Sequence, residues 1–350
     1  MKQLREGFTT GSCATAAALA SVLWQLEGTC PTEVTIDTPI GRQLTLSIHE
    51  TDQYGKCYVI KDAGDDPDVT HGCHVEAFVT LEEEQAGVIT FVKGEGIGVA
   101  TEEGLKIPVG EVAINPVPRQ MIQHELRKVI GQRNATVTIS IPNGEELAKK
   151  TLNPKIGIVG GLSILGTTGI VRPMSEEALK DSLLVELEMR RKQGQTSILL
   201  VPGLAGEKMA RKHFKEPQCS IQMSNYVGFM LEEAAELGYE SVLLAGAAGK
   251  IMKLAAGIMN THSHVADGRN EILCTHAALS GARREVIQQL YESKTTEKAM
   301  EVLKQEKLMD IWNAIAQQAK YHCSIRTGYR IDVRVVLFDK QGEIIGDSKE

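Results

Sequence analysis

Aromatic residues make up only 4% of this 350-residue chain. That scarcity argues against stacking platforms for single-stranded nucleic acid. No CxxC pair occurs, and the seven cysteines, at 13, 30, 57, 73, 219, 274 and 323, are odd in number. A disulfide framework and a structural zinc site are therefore not expected, and a reduced cytoplasmic setting fits best. No apolar run approaches the roughly 18 residues of a membrane span. The opening MKQLREGFTTGSC is too polar for a secretory signal. A net charge of −7 disfavours nonspecific nucleic-acid binding. Neither a membrane nor a nucleic acid is an expected partner. The length suffices for two domains of ordinary size.

What the chain does have is clustered glycine. The densest stretch runs from Asn153 to Ser175. Its apolar run Ile156–Val159 has the length of a buried strand. Gly160 and Gly161 break that run, Gly166-Thr167-Thr168-Gly169 follows, and Pro173 stops any continuation. Backbone this rich in glycine approaches something closely. The Thr167 and Thr168 hydroxyls, with N–H groups around them, suit a polar or anionic group. The alternative is a tight glycine turn with capping threonines. The triplet Thr-Thr-Gly also stands at Thr9, Thr10 and Gly11, ahead of an alanine-rich helix over Cys13–Leu26 capped by Ser12 or Thr10. Both copies are candidates for one site.

Residues 33–37, 43–50 and 56–62 read as a strand meander. Four aspartates and a histidine then crowd between Asp62 and His71. Asp65, Asp66 and His71 there suit acid–base work or a hard cation. The competing reading is an acidic turn whose carboxylates accept from backbone N–H groups. Strands follow at 74–81 and from Val88 to Lys93, where Gly94-Glu-Gly96-Ile-Gly98 opens. Lacking a helix start behind it, that GxGxG reads as a hairpin or loop. Pro118–Gly131 is a helix and Ala135–Ile141 a strand. The first domain is placed at 1–152 and the second at 153–350.

In the second domain a strand, a glycine loop and a helix alternate three times. The helix Ser175–Gln193 follows the first loop. The strand Thr196–Val201 meets Pro202-Gly203-Leu204-Ala205-Gly206, and a helix spans Asn225–Leu237. The strand Ser241–Ala245 meets Gly246 to Gly249, with a helix from Lys250 to about Ile258. The pattern predicts a mostly parallel sheet, with ligands beyond the carboxyl ends of its strands. His262, His264 and Asp267 lack a third histidine nearby, so hydrogen bonding to a polar ligand outweighs metal ligation. Helices at about 277–292 and 297–320, with Trp312 in the core, precede a terminal hairpin at 331–338 and 343–345.

Six long stretches together resemble one family. They are GFTTGSCATAA at 7–17, KDAGDDPDVTHG at 61–72, KGEGIGVAT at 93–101, PVGEVAINPVPRQMI at 108–122, GIVGGLSILGTTGIVRPMSEEA at 157–178 and KLAAGIMNTHSHVAD at 253–267. The chain resembles the cobalt-precorrin-5B C(1)-methyltransferases of anaerobic cobalamin biosynthesis. The resemblance implies S-adenosylmethionine as methyl donor and a cobalt-bound, ring-contracted tetrapyrrole as acceptor. Cobalt then enters only as part of the substrate, and the protein needs no metal of its own. It also implies an α+β first domain and a Rossmann-like α/β second domain. A homodimer is left open.

On that reading the donor contacts Gly160, Gly161, Thr167, Thr168, Gly169, Gly203, Gly246 and Gly249. Thr9, Thr10, Arg119, Arg172, Lys250, Lys253, His262 and His264 face the acceptor, whose carboxylates need cationic partners. Asp65, Asp66 and His71 manage a macrocycle proton. Two positions depart from the expected family pattern: Leu204 stands where asparagine, and Ala247 where histidine, is expected. A phosphate- or nucleotide-binding enzyme is the alternative, although Gly249-Lys250 is followed by Ile251 and no GxxxxGK[ST] occurs. A non-catalytic corrinoid-binding protein is a second alternative.

Overall fold

The computed structural model describes residues 4–214 and 220–349, so Cys219 lies outside the described residues. The chain separates into two compact units, Met1–Glu176 and Glu177–Glu350.

The first unit is built around the helix Thr10–Glu27, which is buried along most of its length. Alanines at 14, 16, 17, 18 and 20 are fully buried, and their small side chains let neighbours close in from several sides. The helix packs on the strands Lys56–Ile60 and His74–Leu81 and on the helix Pro116–Ile130. Those strands belong to a five-stranded sheet in the order His49–Glu50, Lys56–Ile60, His74–Leu81, Ala135–Ser140, Ile89–Lys93. All its pairings are antiparallel except the last. Val75, Ala77 and Val79 alternate into the core, as period-two patterning requires. The expected helix before Gly131 is present, and Gly131 donates to the Arg127 carbonyl at 3.1 Å.

The glycine-rich stretch departs from expectation. Asn153–Ile156 form a 3-10 turn with Pro154 at its start, and Gly157 leaves it at φ +71°. Only Ile158–Val159 is strand, paired antiparallel with Val99–Ala100. Ile170–Val171 pairs with Gly7–Phe8. The predicted strand at 156–159 is therefore not the first strand of the parallel sheet. Residues 153–176 fall within the first unit, so the division lies at 176/177 rather than at 152/153. The proline and the left-handed Gly157 shorten the apolar run below strand length.

In the second unit a sheet runs in the order Ser220–Gln222, Ser197–Val201, Ser241–Ala247, Asp332–Phe338, Ile344–Asp347. The first four strands are parallel, and the last closes antiparallel as the expected terminal hairpin. The helix Glu176–Lys192 precedes the sheet, and Leu204–His213 and Val227–Glu236 connect its strands. The first of these connections is a basic segment that had no predicted helix. Trp312 is fully buried in the core. The single helix expected at 277–292 is two, Arg269–Leu279 and Arg284–Tyr291, because Gly281 turns the chain at φ +80°. Likewise 297–320 is Thr296–Gln305 and Ile311–Arg326, separated by Lys307 at φ +56°. No helix among the described residues is long and apolar enough to cross a membrane.

Candidate functional site

Most motifs of the first unit converge on its N-terminal segment. Phe8 N donates to the Asp62 carbonyl at 2.8 Å, and Asp65 N to the Arg5 carbonyl at 3.0 Å. Arg5 N returns a bond to the Asp65 carboxylate at 2.7 Å. A Cβ at Gly64 would lie 2.1 Å from the Arg5 carbonyl oxygen, and its φ of +66° further favours glycine. On its other edge the segment pairs with Ile170–Val171. The acidic loop and the end of the glycine-rich stretch thus flank one short strand.

The two Thr-Thr-Gly triplets also meet. Thr9 N and the Ser12 hydroxyl both donate to the Gly169 carbonyl, at 3.2 and 2.7 Å. Gly11 N donates to the Leu165 carbonyl at 2.8 Å, and Leu165 N to the Thr10 hydroxyl at 2.9 Å. The helix cap is Thr9, whose hydroxyl accepts from Ser12 N, rather than Ser12 or Thr10. The helix N-terminus therefore spends N–H groups on the loop carbonyl and its own cap. Thr168 bonds its hydroxyl to the Ile170 carbonyl, while Thr167 is exposed.

Gly161 is explained by backbone meeting backbone, and Gly160 by its left-handed φ of +82° beside the Lys93 side chain. A Cβ at Gly161 would stand 2.2 Å from the Gly96 carbonyl oxygen, and one at Gly160 would stand 2.9 Å from Lys93 Nζ. Leu162 N donates to the Gly96 carbonyl at 2.8 Å, and Gly98 N to the Leu162 carbonyl at 2.9 Å. The close approach read from these glycines is made to the GxGxG loop of the same unit. The argument that set Gly160, Gly161, Thr167, Thr168 and Gly169 at a parallel-sheet edge does not hold.

Each aspartate of the acidic loop has an assigned partner. Asp62 is ion-paired with Arg5 and accepts from Gly64 N at 2.9 Å. The Arg5 hydrogen bond holds its carboxyl at about 2. Asp66 accepts from Met174 N at 3.1 Å. Asp68 accepts from the Thr70 amide and hydroxyl, and pairs at 2.5 Å with Lys61, whose side chain is 2% exposed. Burial alone would raise the Asp68 carboxyl, but the charge and hydrogen bond of Lys61 hold it below its ordinary value. Asp65 and His71 remain exposed. His71 Nδ1 accepts from Ala63 N at 3.1 Å, which leaves the opposite ring nitrogen, Nε2, for a proton.

Arg119 is held by the Ile114 and Val112 carbonyls at 2.8 and 3.0 Å and by Glu111 at 2.7 Å. It lies over the Phe91 ring in an open cleft of about 470 Å³ that Lys93 also lines. Arg172 is 67% exposed and stands 3.5 Å from Glu6. Sequence reasoning missed Arg5, and also Met174. Met174 has φ +56° and is 78% exposed. Left-handed backbone at a residue with a Cβ costs roughly 1–2 kcal/mol. Asp37, His124 and Glu125 lie close enough to share a cation. The Lys128 ammonium already bonds both carboxylates, at 2.6 and 2.8 Å.

The second unit gathers the remaining predicted residues at one end of its sheet. The strands Ser197–Val201 and Ser241–Ala247 are parallel neighbours. From the first, the chain goes outward to Ser220–Gln222, then returns to the opposite side. That reversal is a topological switch point, the position at which ligands bind in sheets of this kind. Gly203 lies there, with open space where a Cβ would be. Gly246 packs on Pro202, and Gly249 on Thr296. Leu204 is 73% exposed and Ala247 is exposed.

Lys250 is half-buried, with no hydrogen-bond or ion-pair partner among the described residues. Burial and then the neighbouring Lys253 push its ammonium pKa down. Lys253 is buried and donates to the Ala266 and Thr261 carbonyls at 2.9 and 3.2 Å. Burial lowers its pKa as well, against the pull of Asp267. His262 and His264 are exposed, ring to ring at 5.0 Å, and Asp267 pairs with Arg269.

Comparison with known proteins places these arrangements. The model of the CbiD family matches residues 1–173, and that of the CbiD C-terminal domain matches 260–349. A cobalt-precorrin-5B C(1)-methyltransferase from Desulfitobacterium hafniense is 48% identical over 345 residues, covering 97% of this chain and 89% of the relative. Its namesake in Alkaliphilus metalliredigens is 44% identical over 349 residues, covering 98% and 92%. The crystal structure of a cobalamin biosynthesis protein (cbiD) from Archaeoglobus fulgidus is 30% identical, with coverage of 80% and 86% and a TM-score of 0.41. Identity at this level along nearly the whole length of both curated relatives shows that the chain belongs to the cobalt-precorrin-5B C(1)-methyltransferase (CbiD) family.

Proposed function

We propose that this protein transfers a methyl group from S-adenosylmethionine to C-1 of cobalt-precorrin-5B, giving S-adenosylhomocysteine and cobalt-precorrin-6A. The observation that carries this reading is 48% identity, over 97% of the chain, to a protein of that name. The donor supplies a sulfonium methyl already activated for in-line attack by a ring carbon, with a neutral thioether leaving. The protein's work is alignment and exclusion of water.

The second unit's sheet end suits the donor, and we read that unit as Rossmann-like. Open space over Gly203 admits close approach. Exposed Leu204 and Ala247 offer apolar surface to adenine, and the partnerless Lys250 ammonium suits the donor's carboxylate. Lys253, spent on two carbonyls, acts by holding the loop that carries His262 and His264.

The first unit's acidic loop and the adjoining Arg172 suit the acceptor. Arg172 is free enough to meet a propionate or acetate. Asp65 and His71 are the exposed groups of that loop able to take or return a proton. Thr9, Thr10, Thr168 and Gly169 shape the neighbouring loop through the bonds already described, and Arg119 holds the segment 111–114.

Calorimetry tests the donor half. The protein should bind S-adenosylmethionine and S-adenosylhomocysteine, and Lys250→Gln should weaken both. Absence of any binding to the parent protein overturns the reading.

A further inference from the structure

Met174 is a residue the fold does not use. Five described residues other than glycine have positive φ: Asn143, Met174, Ser224, Lys307 and Tyr329. Asparagine tolerates that region, and Lys307 and Tyr329 lie just past helix ends, where such a conformation stops the helix. Met174 follows Pro173 between a two-residue strand and a helix, and 78% of its surface is exposed. It belongs to none of the three hydrophobic clusters described. Glycine would make the same turn without strain and without leaving a large apolar side chain in water.

The strain is held in place by a named group. Met174 N donates to the Asp66 carboxylate at 3.1 Å, and Asp66 N donates to the Ala63 carbonyl at 3.3 Å. The acidic loop therefore fixes the direction in which Met174 projects. Two residues before it stands Arg172, 67% exposed. An apolar tip with a cation two residues away matches a flat macrocycle, whose faces are apolar and whose rim carries carboxylates.

We propose that Met174 is an acceptor-binding residue that packs its apolar side chain on the face of the tetrapyrrole. Asp66 is its positioning residue through the backbone bond, not a proton-transfer group. The inference rests on the proposed methyl transfer and deepens it.

The test uses the full-length protein with cobalt-precorrin-5B and S-adenosylmethionine. Met174→Gly removes the side chain and the strain together, so it should fold at least as stably as the parent. It should raise the acceptor KM about tenfold, the loss of about one buried apolar side chain. The donor KM should not move. Met174→Leu, which keeps apolar bulk without the sulfur, should recover most of the acceptor affinity. At Asp66, asparagine still accepts from Met174 N but cannot carry a proton. Asp66→Asn should therefore lose far less than Asp66→Ala, and the loss should fall on acceptor KM rather than kcat. A Met174→Gly protein with the parent's acceptor KM overturns the proposal, as does equal loss in Met174→Leu. A kcat collapse in Asp66→Asn returns Asp66 to proton transfer and overturns its positioning role. If the parent itself neither binds nor methylates cobalt-precorrin-5B, the functional reading falls first, and this inference with it.

Discussion

Gly161→Ala puts the account of the glycine-rich stretch under direct strain. The added Cβ would sit 2.2 Å from the Gly96 carbonyl oxygen and 2.4 Å from its carbon. Ordinary contact begins at 3.4 Å, so two backbones must part by about 1.2 Å. Neither is a flexible side chain that swings away. The parting breaks the Leu162 N bond to Gly96 and strains the Gly98 N bond to Leu162. A hydrogen bond contributes about 1 kcal/mol net, and a buried group left unpaired costs about 1–3 kcal/mol, so the loss should be roughly 2–4 kcal/mol. For a unit of this size that lowers the melting temperature by roughly 10 °C. Scanning calorimetry reads it, and S-adenosylmethionine titration at a temperature where the variant is folded reads the second half. The donor affinity of the folded variant should equal the parent's, because Gly161 meets Gly96 rather than a ligand. A variant that melts with the parent would refute the packing argument. One that folds normally yet no longer binds the donor would restore Gly161 to the donor site.

Three further outcomes are expected. Asp65→Asn and His71→Gln should slow methylation without lowering the melting temperature, and unchanged turnover in both would reduce the loop to a structural turn. The lowered Asp62 carboxyl contributes stability that is fully present above its ordinary pKa of about 3.9. That contribution is lost as pH falls through its folded value of about 2. Acidification across that window should lower the protection factor of the Phe8 amide, which bonds the Asp62 carbonyl, and Arg5→Gln should abolish that fall; a protection factor that ignores Arg5 would contradict it. Protein dialysed against a chelator should keep full activity with donor and cobalt-precorrin-5B. Activity lost to chelation and restored by Mg²⁺ or Zn²⁺ would make Asp37–Glu125, Asp62–His71 or His262–Asp267 a metal site.

Where period and turn chemistry decide structure, single residues were enough to read it. Val75, Ala77 and Val79 alternate into the core, and Gly131 stops its helix. The strand end ahead of Gly203 falls where the glycine spacing put it, whereas the strand Ser241–Ala247 runs on through Gly246, which pairs with Leu337. Contacts distant in sequence were not legible. Gly161 announces a close approach but not its partner, and Gly96 is known only once the chain is folded. Ile156–Val159 has strand composition, yet Pro154 and a left-handed Gly157 outweigh it. The split at Gly281 was overridden by helical periodicity on either side. At the site, the acidic loop was legible as a cluster of carboxylates. Which of them are engaged depends on Arg5, Lys61 and Met174, whose sequence neighbourhoods carry no such signal. Met174 was hidden for the same reason: an exposed methionine becomes informative only with its φ angle.

The most direct test of the central claim is mass spectrometry of cobalt-precorrin-5B incubated with the purified protein and S-adenosylmethionine carrying a labelled methyl group. The account predicts one labelled methyl gained per macrocycle, placed at C-1, with stoichiometric S-adenosylhomocysteine. A macrocycle recovered unmethylated under conditions where the protein is folded and binds the donor would contradict it.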